Sequence, residues 1–479
     1  MNEYRSMINR ESPSPIYQQL KEIIKRKVED GEFMPGERIP TEYELCDMFA
    51  VSRAPVRQAL RDLVNEGLLN RQQGSGTFVN RKLGETATQL RVIVPEDLWI
   101  APLRQAVKQC NDEQEGRKIS LSVQAVGRPQ LHKEILSAVG RGEAPDIALI
   151  DWAWEREFAD LHFLKRLDVI DPEWASMFKA DLFPAFADRT SPVLYGAQPE
   201  ANVSVLWYRK DWFEKEGQEP PCTWADLVRV TRYFQRRVEF PLTFAAGRKA
   251  RETTTYQMLP FLWSAGGRLF DGEVEFDGGV VTALQFIVDL VHKYHVASPN
   301  VASYEWDQPA RLFATGKAAL AVGGSYEKPL IQEESGWSEE TFRNRVGCIP
   351  IPAAADGVPA AVAGGMVYVI FRQTRVAPLA LAVLKRIVGP ESMRRFCVET
   401  GRSPTRVSVA RTLDLEEGWF SRRVSELMHG ARPRWDIPEY ARVSGQIQLM
   451  IENAITRRGT PEEAVEKTRD VLRAIFSQS

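Results

Sequence analysis

The stretch of sequence that decides the fold is residues 35–79, which read PGERIPTEYELCDMFAVSRAPVRQALRDLVNEGLLNRQQGSGTFV. Thr41, with Glu44 three residues later, has the pattern of a capping box, and the apolar residues that follow recur at helical spacing. After a short turn, Ser52 is a suitable N-cap for a second helix. Gly67 is a suitable residue to end that helix, since glycine tolerates a positive φ. The stretch therefore predicts two consecutive helices joined by a tight turn.

Two short strands are predicted after the second helix. Residues 68–71 and 77–79 have the composition of strands, and residues 72–76, which read QQGSG, have that of a hairpin turn. A further helix is predicted over residues 16–29. Helices joined by a tight turn and followed by a β-ribbon form an α+β winged helix-turn-helix. We therefore expect such a domain over residues 12–80.

The second predicted helix carries arginines on the faces that its apolar stripe leaves open. Arg53, Arg57 and Arg61 can meet a major groove, where arginine commonly binds guanine edges, or can hold phosphates. The Gly-Ser-Gly tip of the ribbon allows a close approach to the duplex. Three arginines alone are more often part of an ordinary exposed helix. Their combination with the complete helix and wing pattern favours double-stranded DNA as a partner.

The same stretch resembles a known family. The motifs PGERIPTE, VSRAPVRQALRDLVNEGLL and RQQGSGTFV resemble, in order and spacing, the N-terminal DNA-binding domain of GntR-type bacterial transcription regulators. Tyr43 and Pro55 depart from the family pattern, since many members have an arginine and a threonine there. Together with the charge pattern, the resemblance implies these DNA-binding residues: Glu42, Tyr43, Ser52, Arg53, Pro55, Arg57, Arg61, Gln73, Gly74, Ser75, Gly76 and Thr77.

Composition and charge limit the class of protein. The 479 residues are too many for one typical domain, and 44% hydrophobic with 26% charged residues is typical of a globular protein. The net charge is only −2, yet residues 51–82 contain far more cationic than acidic side chains. A local basic patch on a nearly neutral protein favours site-specific DNA binding.

Neither a metal site nor a membrane segment is expected. The five cysteines are scattered and never form a CxxC, and His292 with His295 has no further ligand nearby, so we expect no disulfide framework, zinc site or cofactor. The N-terminal residues lack the apolar core of an export signal. The longest apolar run, residues 360–371, is too short to cross a bilayer. We therefore expect a cytoplasmic protein that does not contact membranes.

A second domain is predicted after the wing. Residues 81–89 are polar and lack periodicity, which predicts a linker, and residues 90–479 predict a ligand-sensing domain. From residue 90 onward strands and helices alternate, which is typical of a mostly parallel sheet covered on both faces. The predicted strands are 90–94, 119–126, 147–150, 203–208, 318–322 and 367–371. The predicted helices are 101–113, 130–139, 224–235, 280–294, 376–388 and 461–476.

The ends of these strands are rich in aromatic and short polar side chains. Ligands bind at such ends in open α/β sheets, where aromatic rings can stack on sugar rings and polar side chains can bind hydroxyls. Trp154 and Tyr326 fit this role better than Trp207, which lies inside a predicted strand. Burial in a core remains an open alternative for the tryptophans of this region: Trp152, Trp154, Trp207, Trp263 and Trp306.

A second resemblance covers the region from residue 90 onward. The carbohydrate-binding group of extracellular solute-binding proteins of ABC importers resembles, in order, GEAPDIALIDWAWEREFADLHFLKRLDVI, VSVLWYRKDWFEKEGQEPPCTWADL, FLWSAGGRLFDGEVEFD, ARLFATGKAALAVGGSYE and GCIPIPAAADGVPAAVAGGMVYVI. The resemblance implies a two-lobed α/β periplasmic-binding-protein-like fold of type II, with the ligand between lobes joined by crossing strands. The ligand candidates it implies are Glu96, Asp97, Asp151, Trp152, Trp154, Glu200, Asn202, Tyr326, Gly365 and Met366.

The two resemblances together predict a transcription regulator whose operator affinity is controlled by a mono- or oligosaccharide. A homodimer on a two-fold symmetric operator is expected. The alternative is a GntR-type regulator with an aminotransferase-like domain that binds pyridoxal phosphate, or with another non-sugar sensor. No segment resembles the lysine and phosphate-binding motifs of such a domain, and paired carboxylates of a glycosidase are not indicated by spacing. We therefore expect a protein that is not an enzyme.

Overall fold

The structure is a computed structural model. It describes residues 7–10, 12, 14–29, 32–33, 36–72, 76–80, 88–113, 118–187, 193–270, 273–416 and 418–477. The chain divides into two compact units, residues 1–89 with 107–120 and residues 90–106 with 121–479. Residues 81–87 of the predicted linker lie outside the described residues, and the domain boundaries predicted from the sequence remain a prediction.

The N-terminal region is a winged helix-turn-helix. Its helices are α1 (Ile16–Glu29), α2 (Glu42–Phe49) and α3 (Arg53–Asn65), and its strands are β1 (Leu69–Gln72) and β2 (Gly76–Val79). The capping box at the start of α2 is confirmed, because the Glu44 backbone N–H donates to Thr41 Oγ1 at 3.3 Å and the Thr41 N–H donates to Glu44 Oε2 at 2.6 Å. After α3, Gly67 adopts a φ of +76°, as expected for a residue at the end of a helix.

The start of α3 differs in one detail from the sequence-based expectation. Ser52 occupies the N-cap position with extended backbone angles, but its side chain makes no capping hydrogen bond. Pro55, the third residue of the helix, has no N–H to donate, so one of the two backbone groups that an N-cap side chain can bind is missing. The helix is held instead by its apolar face. Val56, Leu60 and Leu63 are buried against α1 and α2.

The wing is an antiparallel pair. Its register runs from Leu69 opposite Val79 to Gln72 opposite Gly76. Gly76 has a φ of +122°, a backbone angle that favours glycine, and a Cβ there would lie 2.8 Å from Arg38 Nε, so the Arg38 side chain would have to move. The predicted wing-tip residues Gln73, Gly74 and Ser75 lie outside the described residues.

The C-terminal domain alternates strands and helices. Its strands are β3 (Thr88–Val94), β4 (Ile119–Ala125), β5 (Ile147–Asp151), β6 (Gly196–Ala197), β7 (Asn202–Arg209), β8 (Leu242–Thr243), β9 (Leu320–Gly324), β10 (Val346–Ile349), β11 (Val362–Gly364), β12 (Met366–Ile370) and β13 (Arg432–Pro433). Its helices are α4 (Ile100–Glu113), α5 (Arg128–Gly140), α6 (Glu155–Asp160), α7 (Leu167–Ile170), α8 (Pro172–Ala180), α9 (Pro184–Ala187), α10 (Lys210–Lys215), α11 (Trp224–Phe234), α12 (Glu252–Ser264), α13 (Gly278–His292), α14 (Gln308–Ala314), α15 (Lys328–Ser335), α16 (Glu339–Arg345), α17 (Ala377–Ile387), α18 (Pro390–Thr400), α19 (Val407–Glu416), α20 (Trp419–Gly430), α21 (Tyr440–Ile455) and α22 (Pro461–Phe476). Every strand and helix predicted from the sequence is present, with its ends displaced by no more than two residues.

Two sheets define two lobes. The first lobe is built on a five-stranded sheet of order β4-β3-β5-β12-β6, and the second lobe on a sheet of order β13-β11-β7-β9-β8 with β10 also paired to β7. The expectation of a mostly parallel sheet is wrong. The strand β7 runs antiparallel to β9, β10 and β11, and β12 runs antiparallel to β5 and β6. The strands β7 and β12 each enter their sheet directly from the other lobe. They therefore run antiparallel to these neighbouring strands.

The chain crosses between the lobes more than twice, since β13 of the second sheet follows β12 of the first, and two of these crossings lie close together. Residues 198–201 connect β6 of the first lobe to β7 of the second, and Gly365 alone connects β11 of the second lobe to β12 of the first. Gly365 has a φ of +151°, and a Cβ there would lie 2.6 Å from the carbonyl oxygen of Glu200. A glycine is therefore required where the two crossing segments pass each other. We call residues 198–201 and Gly365 the crossing segments.

Candidate functional site

The exposed face of the winged helix carries a carboxylate that holds three arginines. Glu42 Oε2 accepts a hydrogen bond from Arg53 Nε at 3.0 Å and lies 3.4 Å from Arg57 Nε, and Glu42 Oε1 accepts from Arg71 Nη2 at 2.6 Å. Burial raises the pKa of Glu42, but the hydrogen bonds from Arg53 and Arg71 outweigh it and leave the pKa below its ordinary value. The three arginine side chains are about half exposed, whereas the Glu42 side chain is only 12% exposed. We call these four residues the arginine cluster.

Tyr43 extends the arginine cluster toward the solvent. Its hydroxyl accepts a hydrogen bond from Arg53 Nη1 at 3.1 Å, and the Arg53 guanidinium lies 4.6 Å from the centre of its ring. The side chain of Tyr43 is 65% exposed, which is unusual for so large an aromatic group. Arg61 lies on the exposed surface of α3, and Thr77 lies in β2. Arg71 was not among the residues predicted to bind DNA, because a lone arginine in a strand gives no motif.

A cavity of about 330 Å³ lies between the two lobes. Six of the ten predicted ligand residues line it: Asp151, Trp154, Asn202, Tyr326, Gly365 and Met366. The first two follow or end β5 of the first lobe, and Tyr326 follows β9 of the second lobe, so strand ends from both sheets meet here. We call this space the cleft cavity. The ligand-binding role of these six residues remains a prediction.

The structure does not bring the other four predicted residues to the cleft cavity. Glu96 lines a neighbouring cavity of about 510 Å³, which shares Arg128, Trp306 and Tyr326 with the cleft cavity. Asp97 lies in an exposed 3-10 turn. Trp152 is buried in the first lobe with its ring centre 5.0 Å from that of Phe186.

Glu200 is the fourth of these residues, and it belongs to the crossing segment of residues 198–201. Its Oε1 accepts a hydrogen bond from the Met366 N–H at 3.0 Å, and its Oε2 lies 3.5 Å from Arg402 Nη1. Glu200 is buried and Arg402 is partly buried, and burial raises the pKa of Glu200 although Arg402 acts to lower it. An acidic residue at this position holds the two crossing segments together.

A charged network spans the cleft cavity. Arg434, which follows β13 of the second lobe, donates from Nη2 to Asp151 Oδ1 of the first lobe at 2.8 Å and from Nη1 to Glu252 Oε1 at 2.8 Å. Glu252 also accepts hydrogen bonds from Ser444 Oγ at 2.6 Å and from the Tyr440 hydroxyl. Burial raises the pKa of Glu252, and Arg434 opposes that rise. One buried guanidinium therefore engages two carboxylates, one on each lobe.

Aromatic side chains occupy both walls of the cleft cavity. On the first lobe, the ring centre of Trp154 lies 4.9 Å from that of His132, whose Nε2 lies 3.0 Å from Glu157 Oε2. On the second lobe, the Tyr256 hydroxyl donates to Asn202 Oδ1 at 2.8 Å. Trp306 lines the cavity with 37% of its surface exposed. Aromatic rings facing polar groups across a cavity suit a ligand that has both apolar faces and hydroxyls.

Trp207 has the core role that its position in a strand predicts. Its ring is fully buried in β7 and stacks on Phe420 at 5.8 Å between centres. Its Nε1 donates to Glu327 Oε2 at 3.1 Å, and the Gly324 N–H donates to the same oxygen at 3.1 Å. Burial raises the pKa of Glu327 to about 8, despite these two hydrogen bonds.

Several lining residues were missed from the sequence. They are Arg128, His132, Lys249, Arg251, Glu252, Tyr256, Arg434, Ser444 and Gln448. Within the described ranges, no group of three or more His, Cys, Asp or Glu side chains could hold a metal ion. Among the helices that the structure describes, none combines the length and the apolar character needed to span a bilayer.

Two regions of the chain match known protein families. Residues 16–79 match the bacterial regulatory proteins of the gntR family, and residues 99–393 match the bacterial extracellular solute-binding proteins. Over 91 residues, the chain is 46% identical to the HTH-type transcriptional repressor NagR of Bacillus subtilis (strain 168), which is 19% of this chain and 37% of that protein. Over 72 residues, it is 49% identical to the arabinose metabolism transcriptional repressor of Geobacillus stearothermophilus, which is 15% of this chain and 20% of that protein. The chain thus spans only the smaller part of the length of either repressor.

The C-terminal fold has relatives among solved structures. An ABC transporter solute-binding protein from Thermotoga lettingae TMO, bound with alpha-D-tagatose, is 24% identical with a TM-score of 0.71. The likeness covers 81% of this chain and 100% of that chain, and it shows the two-lobed fold. The chain therefore belongs to the bacterial extracellular solute-binding protein family, and it carries at its N-terminus a winged helix-turn-helix of the gntR family.

Proposed function

We propose that this protein is a transcription regulator whose affinity for a DNA operator is controlled by a carbohydrate bound in the cleft cavity. The observation that carries the proposal is the presence, on one chain, of a GntR-type winged helix with an exposed arginine cluster and a two-lobed domain with a cavity between the lobes. A solute-binding domain joined to a DNA-binding domain can couple ligand binding to DNA binding. We place its action in the cytoplasm, where the DNA is.

The arginine cluster supports the DNA-binding part of the proposal. Arg53 and Arg57 lie in the first two turns of α3, the helix that enters the major groove in this motif. Glu42 holds both side chains on one face, so the cost of ordering them is met before DNA binds. The similar Bacillus and Geobacillus proteins are repressors, which favours repression here.

The cleft cavity supports the sensing part. It combines aromatic walls with carboxylate, amide and hydroxyl groups, which is the mixture that sugars require. The Thermotoga lettingae protein of similar fold is bound with a sugar. Closure of the two lobes on a ligand provides a two-state element, and a tenfold change in operator affinity needs only about 1.4 kcal/mol of coupling. We further propose a homodimer, so that two recognition helices meet a two-fold operator.

An electrophoretic mobility shift with the full chain tests the proposal. The probe is the DNA upstream of the protein's own gene, with and without mono- and oligosaccharides. We expect specific binding that at least one sugar changes, and we expect Arg57→Ala to weaken it roughly tenfold or more. Arg343→Ala, on exposed α16, is the matched control and should leave binding unchanged. The absence of specific binding would contradict the regulator, whereas binding that no sugar alters would contradict the sugar sensor alone.

A further inference from the structure

The helix α21 forms one wall of the cleft cavity. The residues of this helix that line the cavity recur at helical spacing and so lie on one face: Ala441, Ser444, Gly445 and Gln448. Two of them have little or no side chain, and the other two carry polar groups. We call this face the α21 wall. It combines space for a ligand with groups that can form hydrogen bonds.

The side chain of Gln448 belongs to a buried network of hydrogen bonds that begins at Glu252. Gln448 is only 9% exposed. Glu252, which is paired with Arg434, accepts a hydrogen bond from Ser444 Oγ at 2.6 Å. Gln448 Nε2 lies 2.9 Å from Ser444 Oγ and 3.3 Å from Thr255 Oγ1. Both hydrogens of the Gln448 amide nitrogen therefore have an acceptor.

This network determines the orientation of the Gln448 amide. A carboxylate accepts and does not donate, so the hydroxyl hydrogen of Ser444 is directed at Glu252. The Thr255 hydroxyl, 2.7 Å from Ser444 Oγ, then donates to that oxygen. A rotated amide would place Gln448 Oε1 against two oxygens whose hydrogens are already used. The oxygen therefore points away from the network, and nothing in the described part of the chain donates to it. It is the polar atom that Gln448 offers to the cavity.

Gly445 has no structural need to be a glycine. It lies in the interior of α21 without a positive φ, and an added Cβ would come within 4 Å of no atom of the described chain. A glycine inside a helix is less favourable than an alanine, because it loses more backbone freedom on folding. Since the residue lines the cleft cavity, a side chain there would occupy the cavity. The missing side chain thus leaves space one turn from Gln448.

From these two observations we infer that Gln448 is a specificity-determining residue, whose amide oxygen accepts a hydrogen bond from one hydroxyl of the bound sugar in the space beside Gly445. The inference rests on the proposed function and specifies how its ligand is recognised. A sugar that lacks this hydroxyl covers the amide oxygen without giving it a donor, and that loss weakens binding. The α21 wall therefore selects for a hydroxyl at one position of the sugar.

Calorimetric titration of the full chain tests this inference. Glucose, galactose, mannose, arabinose and maltose are compared first, and the monodeoxy analogues of the sugar that binds most tightly are then titrated into wild type and Gln448→Met. Methionine has nearly the length of glutamine but no amide oxygen. We expect one analogue to bind wild type roughly tenfold more weakly than its parent sugar, and this difference to vanish in Gln448→Met. The differences for the other analogues should remain. General damage to the cavity would weaken all the ligands alike.

Gln446→Met is the matched control for this variant. Gln446 lies on the same helix but does not line the cavity, so every difference between parent sugar and analogue should persist. Differences that are the same in Gln448→Met and in wild type would overturn the inference and leave the proposed sugar sensor intact. Binding of none of the sugars to wild type would contradict the proposed function itself.

Gly445→Leu tests the space at the α21 wall. We expect sugar binding to weaken at least tenfold, because the new side chain enters the cavity, while the urea midpoint of unfolding does not fall. Gly140→Leu is the control, since Gly140 lies at the exposed end of α5 and a Cβ there also meets no described atom within 4 Å. Its sugar binding should be unchanged. Normal sugar binding by Gly445→Leu would show that the ligand does not contact this wall.

Discussion

The Asp151 carboxylate of the first lobe accepts a hydrogen bond from the Arg434 guanidinium of the second lobe at 2.8 Å, beside the cleft cavity. The Arg434 side chain is only 3% exposed, and that of Asp151 is 20% exposed. The pair therefore lies where solvent screens it weakly, and it connects the two lobes. In the proposed sensor, a ligand that enters the cleft cavity has to keep this connection or replace it.

Asp151→Asn is expected to destabilise the protein by roughly 1–3 kcal/mol, because a buried guanidinium loses one of its two charged partners. The free energy of unfolding from urea denaturation measures the effect. Glu143→Gln is the control, since Glu143 pairs with Arg141 at 2.8 Å on an exposed surface, where such pairs contribute about 1 kcal/mol or less. An equal decrease in the free energy of unfolding in the two variants would show that the Asp151–Arg434 contact stabilises the protein no more than an exposed ion pair.

Two tryptophans that are two residues apart are expected to behave differently. Trp152→Ala removes a buried ring and should destabilise the protein by roughly 3–5 kcal/mol. Trp154→Ala should cost far less stability, because its ring faces the cleft cavity, but it should weaken sugar binding at least tenfold. Denaturation and calorimetric titration of each variant check the two effects. Normal sugar binding by the Trp154→Ala variant would show that Trp154 does not contact the ligand.

Glu42→Gln tests whether the arginine cluster sets DNA specificity. Without the carboxylate, Arg53, Arg57 and Arg71 lose their common partner, and the face gains positive charge. Binding to unrelated DNA should strengthen, and the ratio of operator to unrelated affinity should fall roughly tenfold. Mobility shifts at two salt concentrations measure this ratio. Glu66→Gln, which breaks the Lys21–Glu66 pair elsewhere in the same domain, is the control.

The buried Glu327 carboxyl predicts a pH dependence of stability. Its pKa is about 8 in the folded protein against an ordinary value of 4.5, so between these values the folded state holds a proton that the unfolded state has lost. Stability should therefore fall as pH rises through this range. In Glu327→Gln, the amide oxygen still accepts from Gly324 and Trp207, and this component of the pH dependence should disappear. Urea denaturation at pH 5 and pH 8 measures the free energy of unfolding of both proteins. The same change with pH in wild type and variant would contradict the prediction.

Local signals in the sequence predicted the elements well. Thr41 and Glu44 cap α2 through contacts within one turn. Asp151 ends β5 and Tyr326 follows β9, and the ends of these two strands meet at the cleft cavity. The same reasoning cannot find Arg434, because its partners Asp151 and Glu252 lie 283 and 182 residues away in the chain.

Position next to a strand end was not sufficient to identify a site residue. Trp152 and Trp154 look equivalent in the sequence, but the 3-10 turn between them directs one ring into the first lobe and the other to the cavity. Glu200 has the chemistry to bind a sugar, but its side chain is buried against the Met366 N–H and Arg402. Which side of a turn faces a cavity depends on packing that neighbouring residues do not encode.

The crossing segments pass along the wall of the cleft cavity. Gly365 lines it, and so does Asn202, the residue that follows the other crossing segment. In the proposed sensor, a change in the angle between the lobes turns the backbone at these positions, which line the site of the ligand. The preference for one ligand and the extent of the regulatory response would then be a single property of the molecule. An evolutionary change of effector would alter how strongly the regulated genes respond.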